Sequence, residues 1–154
     1  MAAHASSSKE QRFTGVIPPV VTPLTSEGKL DRASFARLIE HHIAGGVDGL
    51  FILGSSGEVG YFEDAMREEV LAAAVETIAG RVPVLVGAID SQTRRVVEHA
   101  RRAEAAGADA IVVTAPYYAI TGPEEIENHF RALAAATTLP VFAYDIPVNV
   151  HVKL

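Results

Sequence analysis

Short apolar segments return along this chain at intervals of about thirty residues, and a helical pattern separates each one from the next. This alternation predicts a parallel sheet whose strands are joined by crossover helices, because a parallel connection needs a helix-length segment. The predicted strands are residues 16–21, 47–53, 83–89, 110–113 and 140–144. The last ten residues, 145–154, show no clear pattern.

One unit of this pattern is repeated. Residues 44–52 match residues 105–113 in a glycine that ends a helix, a single aspartate (Asp48 and Asp109) and an apolar run. Even spacing suits a (β/α) barrel at least as well as an open doubly wound sheet, and the Gly-x-Gly-x-x-Gly dinucleotide fingerprint is absent. We therefore predict an α/β fold of the (β/α)₈ TIM-barrel type, with residues 13–154 forming about the first five strands and four helices.

Composition narrows the functional classes. The chain has 154 residues, 49% of them hydrophobic, which predicts one globular domain. Its net charge of −6, with arginines scattered along the predicted helices, disfavours a nucleic-acid partner. There is no cysteine for a disulfide or a thiolate site. We expect residues 1–12 to be a disordered tail, and the lack of any long apolar stretch predicts a cytoplasmic protein without a membrane partner.

The loop Gly54-Ser55-Ser56-Gly57-Glu58 follows the second predicted strand. Its glycines could adopt positive φ and approach a ligand closely, while backbone N–H groups and two hydroxyls point at one spot. Such a cradle suits a carboxylate. The alternative is an ordinary polar turn, because serine and glycine are common turn residues.

In a barrel the chemistry lies at the carboxyl ends of the strands, and a polar ring is predicted there. Considered one at a time, Asp90 is interpreted as a helix cap and the tyrosines as side chains that pack at the rim of the barrel. Glu125 and His129 read as a surface pair one helical turn apart. The ring as a whole favours a site, and its members are Thr22, Ser55, Ser56, Glu58, Asp90, Thr114, Tyr117, Tyr118, Tyr144 and Asp145.

Five motifs, in order and at the predicted strand ends, make the chain similar to the dihydrodipicolinate synthase and N-acetylneuraminate lyase family of Schiff-base aldolases. The resemblance covers nearly all of residues 13–154. The motifs are Gly15-Val16-Ile17-Pro18 with Thr22-Pro23, the loop Gly54-Ser55-Ser56-Gly57-Glu58, Gly107-Ala108-Asp109-Ala110, Pro116-Tyr117-Tyr118, and Tyr144-Asp145-Ile146-Pro147.

The resemblance implies a lyase that binds pyruvate or another 2-keto acid as an imine on a lysine, together with an aldehyde partner and no cofactor. It implies that Tyr144 is the general acid and base, with Ser55 relaying protons and Tyr118 reaching a neighbour's site. Ser56 would hold the carboxylate, supported by Gly54, Gly57 and Thr22. A homotetramer built as a dimer of dimers is the arrangement that the resemblance implies.

Departures from the family pattern qualify these expectations. Asn149 stands where dihydrodipicolinate synthases have an arginine for the second substrate's carboxylate, which argues against lysine biosynthesis. Residues 151–154 are more similar to the neuraminate lyase branch. The family's Schiff-base lysine lies on the sixth strand, and Lys153 is a poor substitute. We therefore expect a chain truncated before its nucleophile.

Two other functions are open at this stage. An inactive half-barrel could act only through association with another chain, because a barrel cut after five strands exposes sheet edges. Alternatively, Glu58, Asp90 and Asp145 could hold Mg²⁺ for enolate chemistry, since that ion prefers carboxylate oxygens.

Overall fold

The computed structural model describes residues 13–154, so the predicted tail at residues 1–12 lies outside the described residues. Helices and strands alternate along this part of the chain. In order they are α1 (Arg32–Ala44), β1 (Leu50–Ile52), a 3₁₀ turn (Val59–Tyr61), α2 (Asp64–Ile78), β2 (Val84–Gly87), α3 (Thr93–Ala105), β3 (Ala110–Val113), α4 (Pro123–Ala134), β4 (Val141–Ala143) and α5 (Pro147–Val150).

The four strands form one parallel sheet in the order β1-β2-β3-β4, as the predicted α/β architecture requires. The first predicted strand, 16–21, is reduced to a single parallel bridge between Pro19 and Phe51. Val20 still donates to the Phe51 carbonyl at 2.8 Å, and Phe51 donates to the Pro18 carbonyl at 3.0 Å. Two adjacent prolines lack N–H donors, so this segment lies beside β1 without extending a regular ladder.

The repeated aspartates perform the same structural task twice. Asp48 donates its N–H to the Val16 carbonyl at 2.9 Å, and its Oδ2 accepts from the Val16 N–H at 2.8 Å. Asp109 makes the same two hydrogen bonds with Val84. Its N–H donates to the Val84 carbonyl at 2.8 Å, and its Oδ2 accepts from the Val84 N–H at 2.9 Å. Each aspartate thus ties the start of its own strand to the start of the preceding neighbour, which explains why the repeat contains this residue.

Alternate residues of the strands face two different environments. The helix-covered face packs against α1 to α4 and is fully buried; it consists of Leu50, Ile52, Val84, Val86, Ile111 and Val113. The inner face, which would line the interior of a barrel, carries a smaller cluster of Phe51, Leu85, Ala110, Val112 and Tyr144, together with Phe13 and Ile17. Most of the core therefore lies between the sheet and its helices.

The helix ends follow local sequence chemistry. Asp31 caps α1 as predicted, because its carboxylate accepts from the Ser34 N–H at 3.0 Å. Gly46, Gly80 and Gly107 have positive φ just after three helices. The short helix α5 lies in a segment where the sequence predicted no regular structure. No helix among residues 13–154 has the length and apolar character needed to cross a membrane.

Candidate active site

A cleft of about 350 Å³ lies at the carboxyl ends of the strands. Its walls come from the loops after β1, β2 and β3 and from α5, which follows β4. The lining residues are Ser55, Glu58, Val59, Gly60, Tyr61, Ile89, Thr114, Tyr117, Ile146, Asn149 and Val150. This is the end of the sheet at which the sequence predicted a site.

The loop after β1 turns in a way that the sequence did not predict. Positive φ is adopted by Leu53 (57°) and Glu58 (62°), not by Gly54 or Gly57. The glycines are needed for close packing instead. A Cβ on Gly54 would lie 2.7 Å from the Phe51 ring, and one on Gly57 would lie 3.0 Å from the Val20 carbonyl oxygen.

Hydrogen bonds within the loop hold its shape. Gly57 donates to the Gly54 carbonyl at 3.0 Å and Glu58 donates to the Ser55 carbonyl at 3.1 Å, so two of the predicted ligand donors are used inside the loop. The buried Thr22 hydroxyl donates to the Gly57 carbonyl at 2.8 Å. Thr22 thus supports the loop from behind, and its direct contact with a substrate stays a prediction.

The two serines occupy different positions. Both are exposed, but Ser55 lines the cleft whereas Ser56 is not among the residues that line it. An exposed Ser56 could still reach an anion at the mouth, and its role as a carboxylate ligand stays a prediction.

Tyr144 lies on the inner face, at the end of β4. Its ring packs edge to face against Phe51 on β1, with centroids 6.0 Å apart, and its N–H donates to the Val113 carbonyl at 2.7 Å. Since Phe51 precedes the loop by three residues, the curved sheet brings the end of β4 towards the loop that carries Ser55. The structure therefore places both predicted proton-transfer residues at one end of the sheet.

Tyr117 and Tyr118 diverge although they are adjacent. Tyr117 is half-buried and lines the cleft. Tyr118 is 98% exposed and has a φ of 78°, a strained value for a bulky residue. Together with the fully exposed Ile120, it borders a second groove of about 90 Å³ that also contains His151.

Asp90 is not the cap of α3, so this prediction was wrong. The helix begins two residues later than the cap required, with Gln92 at the N-cap position. The buried Asp90 carboxylate accepts instead from Arg95 Nε at 2.9 Å and lies 3.2 Å from His99 Nε2. Burial acts to raise the pKa of Asp90, but the hydrogen bonds from Arg95 and His99 outweigh it, so its pKa is lowered.

The buried charge of Asp90 also acts on a residue that lines the cleft. Burial raises the pKa of the Tyr117 hydroxyl, and the negative charge of Asp90 raises it further, while Arg67 and Arg95 oppose the increase. Tyr117 is thus held in its neutral form beside the cleft. The sequence had assigned it no role beyond membership of the polar ring.

His129 does not lie on a surface, as the pairing with Glu125 had predicted. It is 1% exposed, and its Nδ1 lies 2.9 Å from the Thr93 hydroxyl. Burial lowers its pKa, against the opposing effect of the Thr114 carbonyl. Thr114 itself lines the cleft, and its buried Oγ1 has no partner among the described residues.

Two of the three carboxylates considered for Mg²⁺ are engaged in other hydrogen bonds. Asp90 is bound to arginine side chains, and Asp145 Oδ1 accepts from the Leu154 N–H at 3.2 Å. Glu58 lines the cleft. Within residues 13–154, no group of three or more histidine, aspartate or glutamate side chains is placed to hold a metal ion.

The two lysines within residues 13–154 are not among the residues that line this cleft. Lys29 pairs with Glu27 in an exposed turn, and Lys153 is exposed beside a groove along α4. Neither contributes to the lining, and Lys9 lies outside the described residues.

The fold is that of a known family of proteins. The model of the dihydrodipicolinate synthetase family matches residues 12–154, and the chain belongs to this family. The resemblance seen in the sequence is thereby confirmed.

Individual relatives include both synthases and aldolases. The chain is 42% identical over 135 residues to YagE of Escherichia coli K12, provisionally named a 2-dehydro-3-deoxy-D-gluconate aldolase; the match covers 88% of this chain and 45% of YagE. It is 40% identical to the 4-hydroxy-tetrahydrodipicolinate synthase of Chelativorans sp. BNC1, covering 88% of this chain and 46% of that enzyme. The chain thus spans about half the length of the curated relatives it matches.

A solved structure agrees with this assignment. The crystal structure of YagE in complex with pyruvate superposes with a TM-score of 0.90 at 40% identity, covering 92% of this chain and 48% of YagE. The fold is therefore part of the TIM barrel of this family, as predicted.

Proposed function

We propose that the protein is a lyase that binds pyruvate or a related 2-keto acid and acts through a lysine Schiff base. The observation that carries the proposal is the cleft at the strand ends, walled by the Ser55 loop, in a chain whose relative YagE has been solved with pyruvate. An imine at the keto carbon withdraws electrons, so the neighbouring carbon can lose a proton or break its bond without a free carbanion.

Positions at the carboxyl end of the sheet support the proposed division of labour. Ser55 lines the cleft, and the Phe51–Tyr144 contact brings Tyr144 to the same end of the sheet, although Tyr144 is not among the residues that line the cleft. Tyr144 would exchange the proton with the substrate and Ser55 would relay it, while Ser56 would hold the carboxylate. The nucleophilic lysine would lie on the sixth strand of the barrel, as the resemblance to the family implies.

The second substrate is proposed to be an aldehyde that carries hydroxyls rather than a carboxylate. Asn149 lines the cleft at the position where the synthases are expected to have an arginine. No arginine or lysine is among the described lining residues, so none is placed there to pair with a second carboxylate. Hydroxyl and amide groups from Ser55, Thr114 and Asn149 remain to bind a sugar-like chain.

The exposed Tyr118 supports the proposed assembly. A tyrosine that is 98% exposed with a strained backbone is well placed to enter the site of a neighbouring subunit. We propose a tight dimer at this surface and a dimer of dimers overall.

A second candidate function is that residues 13–154 act only together with another chain, and the inner face of the sheet favours it. Phe142 on that face is 38% exposed, although it packs edge to face on Phe13. A face with such partial cover favours association.

Borohydride trapping separates these functions. The polypeptide isolated from its native source is incubated with pyruvate and reduced, and the modified peptide is located by mass spectrometry. We expect one covalent pyruvate on a lysine other than Lys9, Lys29 and Lys153. The absence of an adduct would contradict the Schiff-base proposal, and an adduct that forms only when a second chain is present would favour the associating candidate.

A matched pair of variants tests the proton-transfer role of Tyr144. Removing its hydroxyl by Tyr144→Phe should lower kcat by about 10² to 10⁴, the range typical of general acid–base groups. The control, Tyr61→Phe, removes the hydroxyl of an 88% exposed tyrosine that lines the cleft and should leave kcat within about threefold. Equal losses in the two variants would argue against the assignment.

A further inference from the structure

Arg67 is a buried arginine of α2 that contacts the backbone behind the cleft. It is 7% exposed, and its Nε donates to the Phe62 carbonyl at 3.0 Å. Its Nη1 donates to the Ile89 carbonyl, also at 3.0 Å. A lysine could not make both bonds at once, because its single ammonium lacks the fork of the guanidinium.

Those two carbonyls belong to two different segments that form the cleft, one after β1 and one after β2. Phe62 directly follows the 3₁₀ turn Val59–Tyr61, all three residues of which line the cleft. Ile89 lines it from the segment after β2. One side chain therefore links the wall after β1 to the wall after β2.

Arg67 is itself held in place from the other side. Its Nη1 lies 2.9 Å from His99 Nε2 and 3.7 Å from Asp90 Oδ2. Asp90 is anchored by Arg95, which also bonds Asp64 at 2.8 Å. A charged group that is buried among charge partners and two carbonyls has few alternative positions, so the cluster is rigid.

We propose that Arg67 is a positioning residue for the cleft, holding the 3₁₀ turn and the end of β2 at the separation that the ligand requires. It acts through the backbone of the two walls and does not touch the ligand. The ligand arm of its test depends on the proposed function, whereas the structural arm does not.

The structural arm is hydrogen exchange of the full polypeptide carrying Arg67→Lys. The amides of Tyr61, Phe62 and Ala88 are hydrogen-bonded and report on the two walls. We expect their exchange to become roughly tenfold faster, while exchange in α4 stays within about twofold. Arg95→Lys is the matched control, because Arg95 belongs to the same cluster but bonds only carboxylates in the described structure; it should leave those three amides within about twofold.

Two exchange results would overturn the proposal. One is equal exchange at the three amides in the Arg67 and Arg95 variants, and the other is an increase of the same size throughout the chain. If Arg67→Lys does not fold, Asp90→Asn keeps Arg67 but removes its carboxylate partner. That variant should speed exchange at the same amides about threefold, and no change there would also overturn the proposal.

The ligand arm uses pyruvate itself. At a temperature where both variants remain folded, we expect Arg67→Lys to weaken pyruvate binding about tenfold and Arg95→Lys to leave it within about twofold. Faster exchange at the three amides together with an unchanged pyruvate affinity would overturn the positioning role. If the unsubstituted protein binds no pyruvate, the proposed function is wrong. The exchange results would still test whether Arg67 holds the two walls together.

Discussion

The two faces of the sheet are built from alternate residues of the same strands, yet they are closed to different degrees. On the helix-covered face, Ile111 and Val113 are completely buried beneath the helices. On the inner face, Val112 and its paired residue Phe142 are 6% and 38% exposed. The helices that cover the first face are adjacent in sequence to the strands on which they pack. The inner face is covered only by side chains that reach it from across the sheet.

This difference shows which part of the fold residues 13–154 stabilise by themselves. Each crossover helix packs on the strands it connects, so the helix-covered face gains its core from local connections. The inner face carries the Phe51–Tyr144 contact that supports the site, and it has the smaller cluster. The proposed catalytic tyrosine therefore lies on the less completely buried face.

The largest expected effect comes from truncating one isoleucine on each face. Ile111→Ala removes a fully buried side chain from the larger cluster and should lower the free energy of unfolding by about 2–5 kcal/mol. Ile17→Ala makes the same chemical change at a partly buried position of the inner face. It should cost about 1 kcal/mol. Urea unfolding measures both, and equal losses would remove the distinction between the faces.

An intermediate effect is expected where the loop after β1 passes over β2. A Cβ at Gly87 would lie 1.9 Å from the Leu53 carbonyl oxygen, so Gly87→Ala must displace backbone. We expect a loss of about 3 kcal/mol in the free energy of unfolding. At Gly60, which also belongs to the site region, an added Cβ meets nothing within 4 Å. Gly60→Ala should change stability by less than about 1 kcal/mol, and a comparable loss at both positions would contradict the close approach.

The smallest effect concerns the histidines sealed within the helix layer. Burial lowers the pKa of His99, against its hydrogen bond with Asp90, and burial also lowers the pKa of His129. The unfolded chain then takes up these protons first, near pH 6.5. Stability is therefore complete above about pH 6.5 and declines as the pH falls through the window below it.

Urea midpoints measured between neutral and mildly acidic pH test this sign. His129→Gln should make the decline shallower, whereas His41→Gln, at an exposed position of α1, should leave it unchanged. A midpoint that rises on acidification would refute the prediction. At still lower pH the protonation of Asp90, whose pKa is lowered, should cause a second loss.

Much of the local structure could be predicted from the residues themselves. Asp31 was identified as the cap of α1 because a carboxylate can accept from the first-turn N–H groups, and its bond to Ser34 confirms this. The strand Ala110–Val113 was predicted with its observed bounds, since four apolar residues follow a glycine and an aspartate. These features depend on neighbours in sequence.

The errors share a different origin. Asp90 was assigned to its own helix, but its carboxylate binds Arg95 and His99 in a buried cluster that also includes Arg67 from α2. His129 was assigned to a surface, but α4 turns it towards Thr93 on α3. For His129 the deciding partner lies on another helix, whereas Asp90 meets side chains of α3 together with Arg67 of α2. Sequence periodicity carries no information about which of these side chains meet in the folded chain.

The sequence by itself determined the alternation of strands and helices, the membership of the barrel family and the end of the sheet where the site lies, because these follow from local patterns and motif order. Only the tertiary structure decided that Leu53 and Glu58, rather than the glycines, take positive φ, and that Arg67 links the two walls of the cleft. Both outcomes depend on groups from separate segments of the chain, such as the Leu53 carbonyl beside Gly87 and the Arg67 guanidinium beside the Ile89 carbonyl. Steric contact and hydrogen bonding between such atoms arise only after the chain has folded.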